Sequence, residues 1–162
     1  NCKKQIYIMT AIIFAAIVLT GCSKQKDPLP KEILALELDK KLTGKEANEF
    51  ISRMHSGDVS SAKNEIGFYS GDRGGATIYV SFFEDKKIAQ AEEKKMTDKI
   101  SLGNSAFTDG DVFYFDGLKI YKCSGYSQSH FIFSKETNLY WLTADLEIDR
   151  KFLSEYLDYL NK

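Results

Sequence analysis

Cysteine and histidine are scarce in this chain of 162 residues. The two histidines, His55 and His130, lie far apart, and beyond Cys22 there is a single further cysteine, Cys123. No Cys-x-x-Cys or His-x-x-x-His spacing is present, and zinc sites are usually built on such spacings. The sequence therefore predicts no metal site and no cofactor. After Cys22 no pair of cysteines is left for an internal disulfide.

The sequence patterns of phosphate and calcium loops are also missing. Residues 71–75 are rich in glycine but lack the Gly-Lys-Ser/Thr ending of a phosphate-binding loop, and they lie between two predicted strands. Asp109, Asp111 and Asp116 lack the final glutamate of a twelve-residue calcium loop. We therefore predict a hairpin loop at 71–75 and turn residues at the three aspartates.

Neither sign of charge dominates the chain. Its 22 Lys and Arg residues are nearly balanced by 23 Asp and Glu residues, which gives a net charge of −1. No basic stripe stands out, whereas proteins that bind nucleic acid present clustered Lys and Arg. Nucleic acid is therefore excluded as an expected partner.

One long apolar run is present, at residues 6–19, and two lysines, Lys3 and Lys4, precede it. As a helix, this run would be about 21 Å long, shorter than the roughly 30 Å hydrocarbon core of a membrane. A basic segment, a short apolar segment and small residues before a cysteine are typical of a secretory signal. The run therefore predicts export rather than a transmembrane helix.

The end of that run, Leu19-Thr20-Gly21-Cys22, resembles the lipobox of bacterial lipoproteins. The resemblance implies cleavage before Cys22 and attachment of a diacylglycerol to its sulfur. It also implies a lipid-anchored protein on the extracytoplasmic side of the cell membrane or of an outer membrane, with the membrane as a partner. Residues 42–47, 79–81 and 129–133 are similar to prokaryotic lipoproteins with a single small α+β domain, a resemblance that carries no function over.

This interpretation divides the chain into three parts. Residues 1–21 are the expected signal peptide, residues 22–30 the lipidated cysteine and a polar tether, and residues 31–162 a single α+β domain. The signal peptide holds two of the basic residues and none of the acidic ones, so the mature chain carries a net charge of −3. The tether would reach at most about 28 Å when extended.

The spacing of apolar residues predicts four helices. Residues 31–42 mix periods of two and four, and we expect a helix there. Residues 43–55 begin with a Thr-x-x-Glu capping box and place Ala47 and Phe50 on one helical face. Residues 84–100 have helical spacing, and Asp145 is the expected N-cap of a last helix.

Alternating, β-branched and aromatic residues predict strands at 66–69, 76–83, 112–115, 118–123, 130–134 and 139–144. Asp116-Gly117 favours a type I′ turn between two of them, and residues 135–138 are expected to form a four-residue loop. The predicted fold class is α+β, an antiparallel sheet of about five or six strands with helices packed on one face. A ferredoxin-like arrangement is the specific version that we expect.

Cys123 and His130 fall on successive predicted strands and are the obvious candidates for chemistry. A catalytic thiolate needs a base and surroundings that lower the thiol pKa. No Asn or Asp is marked out to orient His130, and Cys123 ends a strand in which alternate residues should be buried. We therefore predict a structural cysteine beside a strand histidine, and no catalytic residues.

A candidate ligand cleft is formed by Tyr126, Gln128, His130 and Trp141, because polar side chains alternate with aromatic ones in this part of the sequence. The alternative at these positions is an aromatic core beside a solvated loop. The expected function is a non-enzymatic binding or interaction module of the cell envelope, whose partner is an envelope protein or a small ligand. The alternative function is a small envelope enzyme that uses His130, with or without Cys123.

Overall fold

The computed structural model describes residues 26–55, 63–103 and 106–162. The expected signal peptide, the lipobox and Cys22 lie outside these residues, so lipidation stays a prediction. No helix among the described residues combines the length and the apolarity needed to cross a membrane.

Eight strands and three helices make up the described part of the chain. In chain order they are β1 (Glu32–Ile33), β2 (Leu36–Thr43), α1 (Gly44–His55), β3 (Lys63–Gly71), β4 (Gly74–Phe82), α2 (Lys86–Ser101), β5 (Thr108–Phe115), β6 (Leu118–Gly125), β7 (Gln128–Lys135), β8 (Asn138–Asp145) and α3 (Asp149–Asn161). The strands form one antiparallel sheet in the order β1-β2-β3-β4-β8-β7-β6-β5. The predicted α+β class and antiparallel sheet are confirmed, whereas the expected five or six strands were too few.

The sheet consists of two four-stranded halves that meet at β4 and β8. These two strands run antiparallel, with Val80 opposite Tyr140 and Ile78 opposite Leu142. Each of them is followed along the chain by a helix, α2 after β4 and α3 after β8. The long connection through α2 therefore carries the chain from one half of the sheet to the far edge of the other.

The helices divide between the two faces of the sheet, contrary to the expectation that they pack on one. Helix α3 covers the face that holds Phe131 and Leu142. Helices α1 and α2 cover the opposite face, over Ile66 and Ile132 respectively. Because both faces are covered, β7 and β8 each contain runs of three or more consecutive buried residues rather than buried residues at alternate positions. The ferredoxin-like arrangement finds no support in this strand order.

The prediction of a helix at residues 31–42 is wrong, because this segment forms β1, a turn and most of β2. The pairing of β2 with β3 shifts between Leu38 and Lys40, which is a β-bulge. A bulge inserts one extra residue and so reverses which face the following side chains meet. Leu38 accordingly packs on the α3 face and Leu42 on the α1 face. The bulge explains why the leucine spacing mixes two periods.

Two-residue turns close the hairpins of the second half of the sheet. Asp116 and Gly117 both have positive φ, at 47° and 79°, as a type I′ turn requires, which confirms the predicted turn. Tyr126 and Ser127 also have positive φ, at 52° and 62°, although neither is glycine. The loop expected at 135–138 is shorter than predicted, because its two outer residues pair with each other in the ladder.

The segment expected to be a tether is built into the domain from Asp27 onward. Leu29 is buried in the core beneath α3. The Tyr156 hydroxyl donates to the Pro28 carbonyl oxygen at 2.8 Å, and the Tyr69 hydroxyl donates to the Pro30 carbonyl oxygen at 3.0 Å. Prolines lack an amide hydrogen, but their carbonyl groups still need partners when buried. The two tyrosines supply these partners and fix the segment.

Helix α3 begins later than predicted, and Asp145 is not its N-cap. The helix starts at Asp149 after Ile148, and Ile148 makes no side-chain cap. Asp145 instead accepts from the Gly75 amide at 2.7 Å and from Gln128 Nε2 at 3.0 Å. Its carboxylate therefore joins the β3–β4 hairpin to the start of β7 rather than starting a helix.

Candidate functional site

Strands β6 and β7 place Cys123 directly opposite His130, as the sequence suggested. The Cys123 side chain is fully buried, in a cluster with Ile132 and Leu139. Burial disfavours the thiolate and raises the pKa of the Cys123 thiol to about 11. At neutral pH this cysteine is therefore a protonated, apolar-packed thiol.

His130 uses both ring nitrogens on partners other than Cys123. Its Nδ1 accepts a hydrogen bond from Trp141 Nε1 at 3.0 Å, which requires that Nδ1 carry no proton. The proton then lies on Nε2, which contacts the Gly125 carbonyl oxygen at 3.0 Å and donates to it. Burial lowers the pKa of His130, and the bond to Gly125 only partly opposes this. The imidazole is therefore a neutral ring held in one tautomer.

Three of the four residues of the predicted cleft come together around Phe107. The Phe107 ring lies 4.8 Å from the ring of His130, 5.4 Å from that of Trp141 and 5.8 Å from that of Tyr126. Tyr126 is 74% exposed, so one side of this aromatic cluster faces solvent. Gln128 instead binds Asp145.

Sequence reasoning missed Phe107. It precedes β5, whereas the residues it contacts lie on the β6–β7 turn and on two other strands. Only the tertiary fold brings this ring onto them, because no local spacing connects Phe107 to positions so far along the chain. Both ring nitrogens of His130 already have hydrogen-bond partners within the protein, so they offer no free polar group to a ligand. This arrangement favours a structural role for the aromatic cluster over ligand recognition.

A second candidate is a surface cleft of about 530 Å³, lined by the β1–β2 turn, the β3–β4 turn and the last turns of α3. This volume is in the range of small-molecule sites. Five charged side chains of both signs line it: Glu32, Arg73, Glu155, Asp158 and Lys162. All five are exposed. Across the described residues, the side chains of Glu32, Arg73, Asp158 and Lys162 have neither a hydrogen bond nor an ion pair.

The turn that forms one wall of the cleft has unusual backbone geometry. Leu34 and Ala35 have positive φ, at 52° and 58°, although both are L-residues with side chains that disfavour this region. The Leu34 amide donates to Glu155 Oε2 at 3.0 Å, which ties the turn to α3. Such outliers persist where the surrounding structure holds them, and they concentrate at functional sites.

The opposite wall of the cleft includes Tyr159, which contacts the start of the described chain. Lys26 Nζ lies 3.4 Å from the centre of the Tyr159 ring and donates to the Tyr159 carbonyl oxygen at 2.7 Å. The Tyr159 hydroxyl donates to the Asp27 carbonyl oxygen at 2.7 Å. Lys26 and Asp27, the first residues that the structure describes, therefore lie against a side chain that lines this cleft.

The sequence offered no local signal for this cleft. Its walls come from residues near the start, the middle and the end of the chain. In the sequence, each of its charged residues taken alone is typical of a solvated surface. In the part of the chain that the structure describes, no group of three or more His, Cys, Asp or Glu side chains is arranged to hold a metal ion.

No protein-family model, no curated protein and no solved structure matches this chain.

Proposed function

We propose that this protein is a lipid-anchored binding module on the extracytoplasmic side of a bacterial membrane, held there by diacylglycerol on Cys22. The anchor is supported by the two lysines, the apolar run at 6–19 and the lipobox-like end of that run. The binding role is carried by one observation. The cleft beside α3 presents charged side chains of both signs that have no partner among the described residues.

A binding role fits the chemistry of Cys123 and His130 better than the enzyme alternative does. A nucleophilic cysteine works as a thiolate beside a base that takes its proton. Burial keeps the Cys123 thiol protonated, and the nitrogens of His130 are committed to Trp141 and Gly125. The enzyme alternative therefore requires the bond from Trp141 to break, because His130 Nδ1 is the unprotonated nitrogen that would take the proton of Cys123.

The short distance between the anchor and the domain supports a role at the membrane surface. Three residues separate Cys22 from Lys26, and this segment spans at most about 14 Å when extended. Lys26 is itself fixed on Tyr159, in the wall of the cleft. A lipid on Cys22 would therefore hold the cleft close to the headgroups of the membrane.

Metabolic labelling tests the anchor. The chain is produced behind an initiator methionine in a bacterial host, and the growing cells are supplied with an alkyne-bearing fatty acid. We expect label in the membrane fraction for the unchanged chain and for Cys2→Ala, whose substitution lies in the expected signal peptide. Cys22→Ala should lose the label and stay unprocessed. Label that persists in Cys22→Ala would overturn the lipid anchor.

Protease treatment of spheroplasts tests the side of the membrane. A protein on the extracytoplasmic face is cleaved without lysis, whereas a cytoplasmic control protein is not. Protection of the labelled chain in intact spheroplasts, with cleavage after lysis, would overturn the proposed location.

A further inference from the structure

We infer that the cleft between the β1–β2 turn and the end of α3 binds a zwitterionic group that carries a primary ammonium and a phosphate, and that its source is the phosphoethanolamine headgroup of a membrane phospholipid. The chemistry of the group follows from the cleft itself. Its source rests on the proposed function, because only a lipid-anchored protein would hold this cleft at the headgroups.

The charges of the cleft match a group with two opposite charges. Arg73 and Lys162 supply donors for a phosphate, and a guanidinium meets phosphate oxygens with two parallel hydrogen bonds. Glu32 and Asp158 supply carboxylates for an ammonium, and none of these four side chains is engaged elsewhere in the described chain. A ligand of a single charge would leave one half of this set unmatched.

The aromatic content of the cleft favours a primary ammonium over choline. Quaternary ammonium groups are recognised by cages of several aromatic rings. Among the described residues that line the cleft, Tyr159 is the one aromatic, and the Lys26 ammonium already lies over its ring. A primary ammonium donates three hydrogen bonds and is suited to carboxylates instead.

The walls of the cleft are held in place before any ligand arrives. The strained turn at Leu34 and Ala35 is tied to α3 by the bond from the Leu34 amide to Glu155. Tyr159 is fixed by its hydrogen bond to Asp27 and by Lys26. Walls that are already in place lose less conformational freedom when a ligand binds.

The position of the cleft favours a lipid source for the group. Tyr159 lies in the cleft wall and contacts Lys26, which is four residues from Cys22. An anchored domain therefore meets headgroups at high local concentration, which allows a weak headgroup contact to fix its orientation.

A soluble headgroup tests the chemistry. The full chain, purified in a neutral detergent, is titrated with glycerophosphoethanolamine, and binding is followed by saturation-transfer NMR. We expect saturable transfer to this probe and weaker transfer to glycerophosphocholine. Arg73→Gln combined with Asp158→Asn should raise the Kd about tenfold, since it removes one contact to each charge of the group.

Arg53→Gln combined with Glu84→Gln is the matched control, because it removes the same charges from exposed residues outside the cleft. It should leave the Kd unchanged. All four substitutions are on the surface, so both double variants should fold. Absence of transfer, equal Kd values for the two double variants, or equal binding of the choline probe would overturn the inference.

Vesicles test the source. The full chain is reconstituted in vesicles of phosphatidylcholine alone or of phosphatidylcholine with an equal amount of phosphatidylethanolamine. We expect slower hydrogen exchange in peptides covering Leu34 and the end of α3 only when phosphatidylethanolamine is present. Binding of the soluble probe without this difference would overturn the membrane source and assign the cleft to a free ligand. The soluble test does not involve the anchor, so failure of lipidation at Cys22 would leave its result intact.

Discussion

Trp141 Nε1 donates a hydrogen bond to His130 Nδ1 at 3.0 Å, from β8 to β7. This bond fixes the proton of the imidazole on the far nitrogen, where it meets the Gly125 carbonyl oxygen. The histidine that looked most like a catalytic base in the sequence is thus held as a neutral cross-strand connector. Of its neighbours in the sequence, Tyr126 packs on the same Phe107 ring as His130, whereas Gln128 binds Asp145 outside this aromatic cluster.

Replacement of Trp141 by Phe should destabilise the protein by about 1–3 kcal/mol, because the buried Nδ1 of His130 would lose its donor. Urea denaturation of the full chain measures the change. Tyr126→Phe removes a hydroxyl from an exposed ring of the same aromatic cluster and should change stability by less than about 0.5 kcal/mol. Equal stability of Trp141→Phe and the unchanged chain would contradict the bond and the tautomer derived from it.

The stability of the protein should fall on acidification in a way that depends on His130. Burial lowers the pKa of His130 below its ordinary 6.5, so the unfolded state binds the proton first. The contribution of the neutral ring is present above about pH 6.5 and is lost as the pH falls toward the folded pKa. Denaturation of the full chain at about pH 7.5 and about pH 5 should show a larger loss for the unchanged protein than for His130→Gln. An equal loss of stability in the unchanged protein and in His130→Gln would mean that groups other than His130 cause the destabilisation in acid.

Cys123 should be unreactive in the native protein. In a full chain with Cys2→Ser and Cys22→Ser, iodoacetamide should label Cys123 at least ~100-fold more slowly in native buffer than in denaturant, since its thiol is buried and protonated. The same chain with Cys123→Ala and Glu84→Cys carries an exposed thiol and should react at one rate in both conditions. Fast native labelling of Cys123 would instead favour the enzyme alternative.

The sequence was informative wherever local chemistry decides the structure. Asp116-Gly117 forms its predicted type I′ turn, because aspartate and glycine accept positive φ with little strain. Helix α1 covers the predicted residues after Thr43, with Ala47 and Ile51 buried on one face. The strands of the second half were placed correctly to within a few residues.

What the sequence could not give depends on contacts between distant parts of the chain. Leu34 and Ala35 adopt positive φ only because the β1–β2 pairing and Glu155 hold them there. The prolines near the start of the described chain are typical of a tether in the sequence. In the structure, however, their carbonyl groups accept hydrogen bonds from Tyr69 and Tyr156, which are far along the chain. The charged cleft is assembled in the same way, so no single stretch of sequence contains it.

The N-terminal segment should contribute to stability through Tyr156. Tyr156→Phe leaves the buried Pro28 carbonyl oxygen without its donor and should cost about 1–3 kcal/mol in the free energy of unfolding. Tyr159→Phe removes an equivalent hydroxyl from the neighbouring Asp27 carbonyl, but this bond is exposed and water can replace it, so the cost should stay below about 1 kcal/mol. Equal costs in urea denaturation would mean that residues 27–30 do not belong to the cooperative core.

Asp149 should stabilise the protein at neutral pH and lose that effect in acid. Burial alone would raise the pKa of Asp149, but hydrogen bonds from Ser129 at 2.6 Å and Lys122 at 2.9 Å outweigh burial and lower it below 3.8. A lowered folded pKa contributes stability above the unfolded value and loses it as the pH falls through the folded one. Asp149→Asn should therefore cost about 1–3 kcal/mol near neutral pH, because Ser129 and Lys122 lose a charged acceptor.

The difference between Asp149→Asn and the unchanged chain should shrink below about pH 3.8, where the unfolded carboxyl is protonated. Asp98→Asn is the control, since this aspartate is paired with Lys94 on the exposed side of α2 and its loss should cost less than about 0.5 kcal/mol at any pH. Denaturation curves of the three full-length chains across this pH range make the comparison. A cost for Asp149→Asn that does not change with pH would mean that the carboxylate acts through packing, and that its charge does not join β6 and β7 to the start of α3.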